Sequence, residues 1–191
     1  MKKHMAKMLC GGLLLAGILG MAGCEAFRGP DKKGKIELSS QLFGADSYYL
    51  FGYHFENADY YRFPFQGDQV PDIINEGIRI LQGGEVAVLP QFNTPTTGER
   101  IGFAKIGEYG NLEEARSAYN EYRKVGNDLQ FETYSDTVEL YQVYVQRTAE
   151  GNYVKMLVTD IRFDQEEGGS KYNEVVMDYT YQPDGSSTFP E

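Results

Sequence analysis

The chain has 191 residues, of which 24% are charged, and its 18 basic and 28 acidic side chains give a net charge of −10. A negative field of that size repels phosphate backbones, which argues against nucleic acid as a partner and against electrostatic docking on an anionic lipid surface. Fifteen tyrosines and eleven phenylalanines without a single tryptophan suit pleated, half-buried surfaces, with hydroxyls at the rim, better than a sugar-stacking face.

The first elements belong to export. Met1–Lys7 carries three lysines and no acid, Met8–Gly23 is uncharged, and the run ends in small residues. That is the order of a secretory signal, and the uncharged run is shorter than the roughly 20 residues that cross a bilayer. The closing stretch Met21-Ala22-Gly23-Cys24 resembles the lipobox of bacterial lipoprotein precursors, with methionine where leucine is commoner. The resemblance implies cleavage between Gly23 and Cys24, a diacylglyceryl thioether on Cys24 and an N-acyl group such as palmitate. Residues 1–23 are then a removed signal peptide, and Cys10 leaves with them, so the mature chain forms no disulfide and rests on its hydrophobic core. Removal also takes three lysines, leaving 15 basic and 28 acidic side chains at net −13. Membrane attachment is expected through acyl chains, each buried CH₂ contributing about 0.8 kcal/mol.

After Cys24 the polar stretch to Ser40, broken by Gly29, Pro30 and Gly34, reads as a flexible tether, so that 24–40 links the anchor to one domain over 41–191. Ser47–Phe55 and Tyr60–Phe63 flank a turn at 56–59 and predict an antiparallel hairpin. Short strands are expected at 71–74, 78–81 and 85–89, a turn-rich loop at Gln91–Glu99, and another strand at 100–106. Asn111, with Glu114 three residues on, predicts a helix start, and Leu112, Ala115, Tyr119 and Tyr122 draw one apolar stripe. The helix is expected to run from Leu112 to Val125 and to end at Gly126.

From Thr137 onward three long strand-like runs separated by turns predict a meander. In the middle run Val154, Met156 and Val158 point one way while Tyr153, Leu157 and Ile161 point the other, so both faces should be covered. In the last run Val175, Met177, Tyr179 and Tyr181 share a face opposite Asp178 and Thr180. The expected fold class is α+β, a mostly antiparallel sheet, with the meander in its C-terminal half, packed by one main helix near 112–125.

Thr148-Ala-Glu-Gly-Asn-Tyr153-Val-Lys155, and Asp178-Tyr-Thr-Tyr-Gln-Pro-Asp-Gly185 with Phe189, resemble a recurrent pattern in β-rich bacterial lipoproteins of no assigned activity. The first segment is also similar, more weakly, to HmuY-type haem-binding lipoproteins, which hold haem iron between two histidines. With His4 in the signal, His54 is the one histidine left, so that arrangement is impossible within the mature chain.

The residues do not assemble a catalytic set. A nucleophile needs a base and an orienting group, and neither a G-x-S-x-G elbow nor P-loop, dinucleotide or zinc spacing is present. The acidic loop Asp164–Glu167 lacks the ligand alternation of an EF-hand, so no metal and no cofactor beyond the covalent lipid is expected. His54 with Tyr53, Tyr60 and Tyr61 is the candidate binding surface. The expected function is a non-catalytic binding or interaction domain, held outside the cytoplasm at an outer membrane or cell surface, with an envelope protein, polymer or small ligand as partner. Two alternatives remain: a carboxylate-dependent hydrolase of cell-wall components, drawing on acids such as Asp72, Asp160 and Asp178, and a haem or lipid carrier.

Overall fold

The computed structural model describes residues 32–44, 47–64, 69–96, 98, 100–166 and 169–190. The expected signal segment, Gly23, Cys24 and the first part of the expected tether lie outside these residues. In chain order the strands are β1 (Lys33–Ser39), β2 (Leu50–His54), β3 (Asp59–Phe63), β4 (Ile74–Asn75), β5 (Ile78–Gln82), β6 (Glu85–Leu89), β7 (Phe92–Asn93) and β8 (Gly102–Glu108); helix α1 (Leu112–Glu121) precedes β9 (Gln142–Arg147), β10 (Tyr153–Gln165) and β11 (Lys171–Gln182). A mostly antiparallel, β-rich α+β fold results, in which β1-β11-β10-β9-β8 form the central sheet and β2-β3, β4-β7 and β5-β6 pair separately.

Period-two alternation decides the layers. On one face Val154, Met156, Val158, Val175, Met177, Tyr179 and Tyr181 pack with Ile36 and Leu38 beneath Tyr53, Phe55, Ile73 and Phe92. On the other, Val143 and Leu157 meet Ala115 and Tyr119 of α1, and Val145 meets Val125 and Phe189. The expected hairpin, meander and helix start are all present, and Asn111 accepts the Glu114 N–H at 3.0 Å.

Four expectations need correction. The polar stretch to Ser40 is not tether throughout: β1 pairs with β11 along its whole length, from Lys33 opposite Thr180 to Ser39 opposite Glu174. Its apolar signal is only Ile36 and Leu38, both buried, while the alternating charges pair outward, Lys35 with Asp178 at 3.9 Å and Glu37 with Arg162 at 2.5 Å. The folded domain therefore begins before residue 41.

The helix also stops at Glu121. Tyr122 is extended, and residues 123–125 bond the C-terminal segment instead, Val125 N–H to Ser187 O at 2.8 Å and Phe189 N–H to Arg123 O at 2.9 Å. Gly126 is no cap. Within the loop expected at 91–99, Phe92 and Asn93 pair with Asn75 and Ile74. Finally, a bulge between Val158 and Asp160 reverses the alternation of β10, so Ile161 sits opposite Val175 and packs with the Val154 face rather than with Leu157.

Candidate functional site

The four residues expected to form a binding surface separate into two pairs. Tyr53 is 6% exposed and belongs to the core: its ring lies 5.2 Å from Phe55, and its hydroxyl is 3.1 Å from that of Tyr179. Tyr60 packs beside it at 5.0 Å and its hydroxyl accepts the Glu37 N–H, which ties the hairpin to β1. His54 and Tyr61 meet on the opposite side, edge to face at 5.9 Å, and the Tyr61 hydroxyl accepts from Asn57 Nδ2 at 3.2 Å. Alternation along β2 and β3 accounts for this split.

His54 faces two carboxylates. Antiparallel bonds between Tyr53 and Ile73, with Asp72 N–H donating to Tyr53 O at 2.9 Å, bring the segment after Pro71 against β2. Gly52 permits that approach, because a Cβ there would stand 2.5 Å from Ile74 Cγ2 and 2.6 Å from Ile73 O. Asp72 Oδ2 then accepts the Phe55 N–H at 2.8 Å and lies 3.8 Å from His54 Nδ1. Glu150 arrives from the tight turn between β9 and β10, closed by Gly151 N–H to Thr148 O at 3.0 Å. One donor atom from each of His54, Asp72 and Glu150 lies within 4.8 Å of the others.

These three atoms meet mainly as acceptors. His54 Nδ1 accepts the Asn57 N–H at 3.3 Å, so it offers no proton there, and 3.8 Å to the carboxylate is too long for a hydrogen bond. Asp72 is 5% exposed, and burial, opposed by the Phe55 N–H and reinforced by Glu150 and Glu56, pushes its carboxyl up to about 7. Beneath it Gln146 Nε2 donates to Asp72 O at 2.6 Å, while the buried Gln146 Oε1 has no partner among the described residues. A proton, a water or a cation between the acceptors would satisfy them. One imidazole and two carboxylates form a borderline-to-hard donor set, suited to a divalent ion such as zinc or manganese.

The other acids singled out in the sequence have different duties. Asp178 is held by Arg116 at 2.8 Å, and Asp160 sits 3.8 Å from Arg162 on an exposed stretch of β10. Glu150 is the member of this cluster that sequence reading missed. It lies in a turn whose Thr-x-x-Gly spacing predicts geometry, and nothing local links it to Asp72 or His54. Gly23 and Cys24 fall outside the described residues. Compared with protein-family models, curated proteins and solved structures, the chain matches none, and the site stands on its own geometry.

Proposed function

We propose that this chain is an exported bacterial lipoprotein, lipidated at Cys24 and extracytoplasmic, whose domain works by binding, with a divalent cation at His54, Asp72 and Glu150 as the centre of recognition. The convergence of three acceptor atoms within 4.8 Å, one of them on a carboxyl that is 5% exposed, supports the binding centre. The charge order of residues 1–23 and the cysteine at 24 support export and anchoring. An ion there would leave coordination positions open on the Glu150 side for a carboxylate or hydroxyl of an envelope polymer or partner protein.

Calorimetric titration of the full chain with Zn²⁺, Mn²⁺ and Ca²⁺ tests the centre. Asp72→Asn and His54→Ala are each expected to weaken binding at least tenfold, and equal affinity in wild type and both variants sinks the reading. Labelling with radioactive palmitate tests the anchor independently, with loss of label expected in Cys24→Ser.

A second reading has one observation behind it. Asp72 and Glu150 form a close carboxyl pair in unlike surroundings, one buried and raised, the other exposed, which is how an acid and a base are told apart in carboxylate-dependent hydrolysis. Turnover of cell-wall fragments that survives chelation and is lost in both Asp72→Asn and Glu150→Gln would favour it over the binding centre.

A further inference from the structure

The helix face of the sheet holds a second constellation, of opposite sign. Between α1 and strands β1, β10 and β11 lies a cavity of about 290 Å³ lined by Lys33, Arg116, Arg123 and Lys155, with Asp178 as its one carboxylate among the described residues. In a chain where acids outnumber bases 28 to 18, four cations around one acid is a local inversion. Arg116 binds Asp178 at 2.8 Å, which also has Lys35 at 3.9 Å, whereas among the described residues no carboxylate pairs with Lys33 or Arg123.

Lys155 forms the floor. It is 3% exposed, and its Nζ donates to Tyr119 O at 2.7 Å and Tyr122 O at 3.0 Å, taking the carbonyls left open where α1 ends. It also stands 4.6 Å over the Tyr119 ring. Two of its three N–H groups are committed in this way. Burial, and then the charges of Arg123 and Lys33, lower its ammonium to about 8, so the cations are close enough to act on one another. Positive potential concentrated in a concave site draws anions, and guanidinium forks match phosphate oxygens while lysines add point charge. The exposed Asn120 amide adds a neutral donor at the rim.

We propose that this cavity binds a small phosphate-type dianion, either inorganic phosphate or a phosphate monoester, between Lys33, Arg116, Arg123 and Lys155. The volume lies at the small end of ligand pockets and excludes bulky ligands. A dianion lowers the charge of the cavity, at four cations and Asp178, from +3 to +1. The same chemistry occurs in soluble monoesters and in lipid headgroups. Lys33 stands nine residues after Cys24, a stretch that spans at most about 30 Å when extended, so headgroups are within reach of a lipid-anchored chain.

The test is titration of the full chain, reconstituted in nanodiscs of neutral phosphatidylcholine, with inorganic phosphate and with glycerol 3-phosphate at matched ionic strength. Lys33→Gln/Arg123→Gln alters two exposed side chains and is expected to weaken binding at least tenfold, whereas Lys171→Gln, on the far end of β11, leaves it unchanged. If the double variant melts at a lower temperature without ligand, Arg123→Gln alone gives the comparison, with a loss of threefold or more expected. Nanodiscs containing phosphatidic acid separate the sources: competition with soluble phosphate assigns the cavity to headgroups, and no competition assigns it to free monoesters. Phosphate effects no larger than those of sodium chloride, or wild-type affinity in the variants, would overturn the proposal.

Discussion

The two faces of the sheet treat a buried charge in opposite ways. On the helix face Lys155 keeps its ammonium between two carbonyls at the end of α1, with the Tyr119 ring beneath. On the hairpin face Asp72 has one peptide N–H for the carboxylate and two further acids nearby, so it moves toward neutrality. Both constellations draw on one short stretch, since Glu150 lies in the turn from Thr148 and Lys155 follows on β10. A net charge of −10 averages over sites with contrary needs. What a buried ion requires is set by the dipoles aimed at it, not by the charge of the whole molecule.

The largest effect that would sharpen this contrast is the pH dependence from Asp72. Its folded carboxyl is raised from 3.8 to about 7, so the folded state holds a proton that the unfolded chain gives up. Stability from this group is therefore complete below pH 4, declines as pH rises to about 7 and is level above, by up to about 4 kcal/mol. In chelator-treated protein, Asp72→Asn is expected to flatten this decline and to raise stability at pH 8, because an amide oxygen still accepts from Phe55. Urea unfolding across the pH series reads it out. A wild type whose stability does not fall between pH 4 and 7 would dissolve the contrast.

Gly52→Ala comes next. Its Cβ would clash with Ile74 and Ile73 O, and pushing that segment away from β2 should cost about 3 kcal/mol in urea unfolding and weaken any ion at His54, while phosphate binding on the helix face persists. Lys155→Met leaves the carbonyls of Tyr119 and Tyr122 without their donor at a cost of about 2 kcal/mol, lowering the melting temperature without changing cation affinity at His54. Smallest is Asn111→Ala, which removes the acceptor for Glu114 N–H at the far end of α1. About 1 kcal/mol should go, with both candidate sites intact.

Where a residue's neighbours in sequence are also its neighbours in space, the fold was legible. The β2–β3 hairpin, the β9–β10–β11 meander and the Asn111 cap announce themselves through alternation, turns and spacing. Strand β1 did not, because two apolar residues among lysines and glutamates make a weak pattern, and Lys35 and Glu37 find their partners on β11 and β10, far along the chain. The end of α1 was masked in another way: residues 123–125 could continue the helix until the C-terminal segment offers competing bonds. The bulge at Val158–Asp160 leaves no mark in composition, yet it decides where Ile161 points.

The candidate sites were harder still. His54 and Tyr61 were in view as a pair, but Asp72 and Glu150 reach them from separate elements, and the cations of the cavity come from β1, α1, the segment after it and β10. Such convergence is a product of topology. Periodicity and local spacing do not encode it.

The strand order has a temporal meaning as well. β1, the first strand of the described chain, has its only sheet partner in β11, the last. While the chain is being made, the central sheet must wait for β11 before β1 can join it. A chain built in this order keeps the edge of its central sheet open, and β1 without its partner, until the β11 stretch has been synthesised.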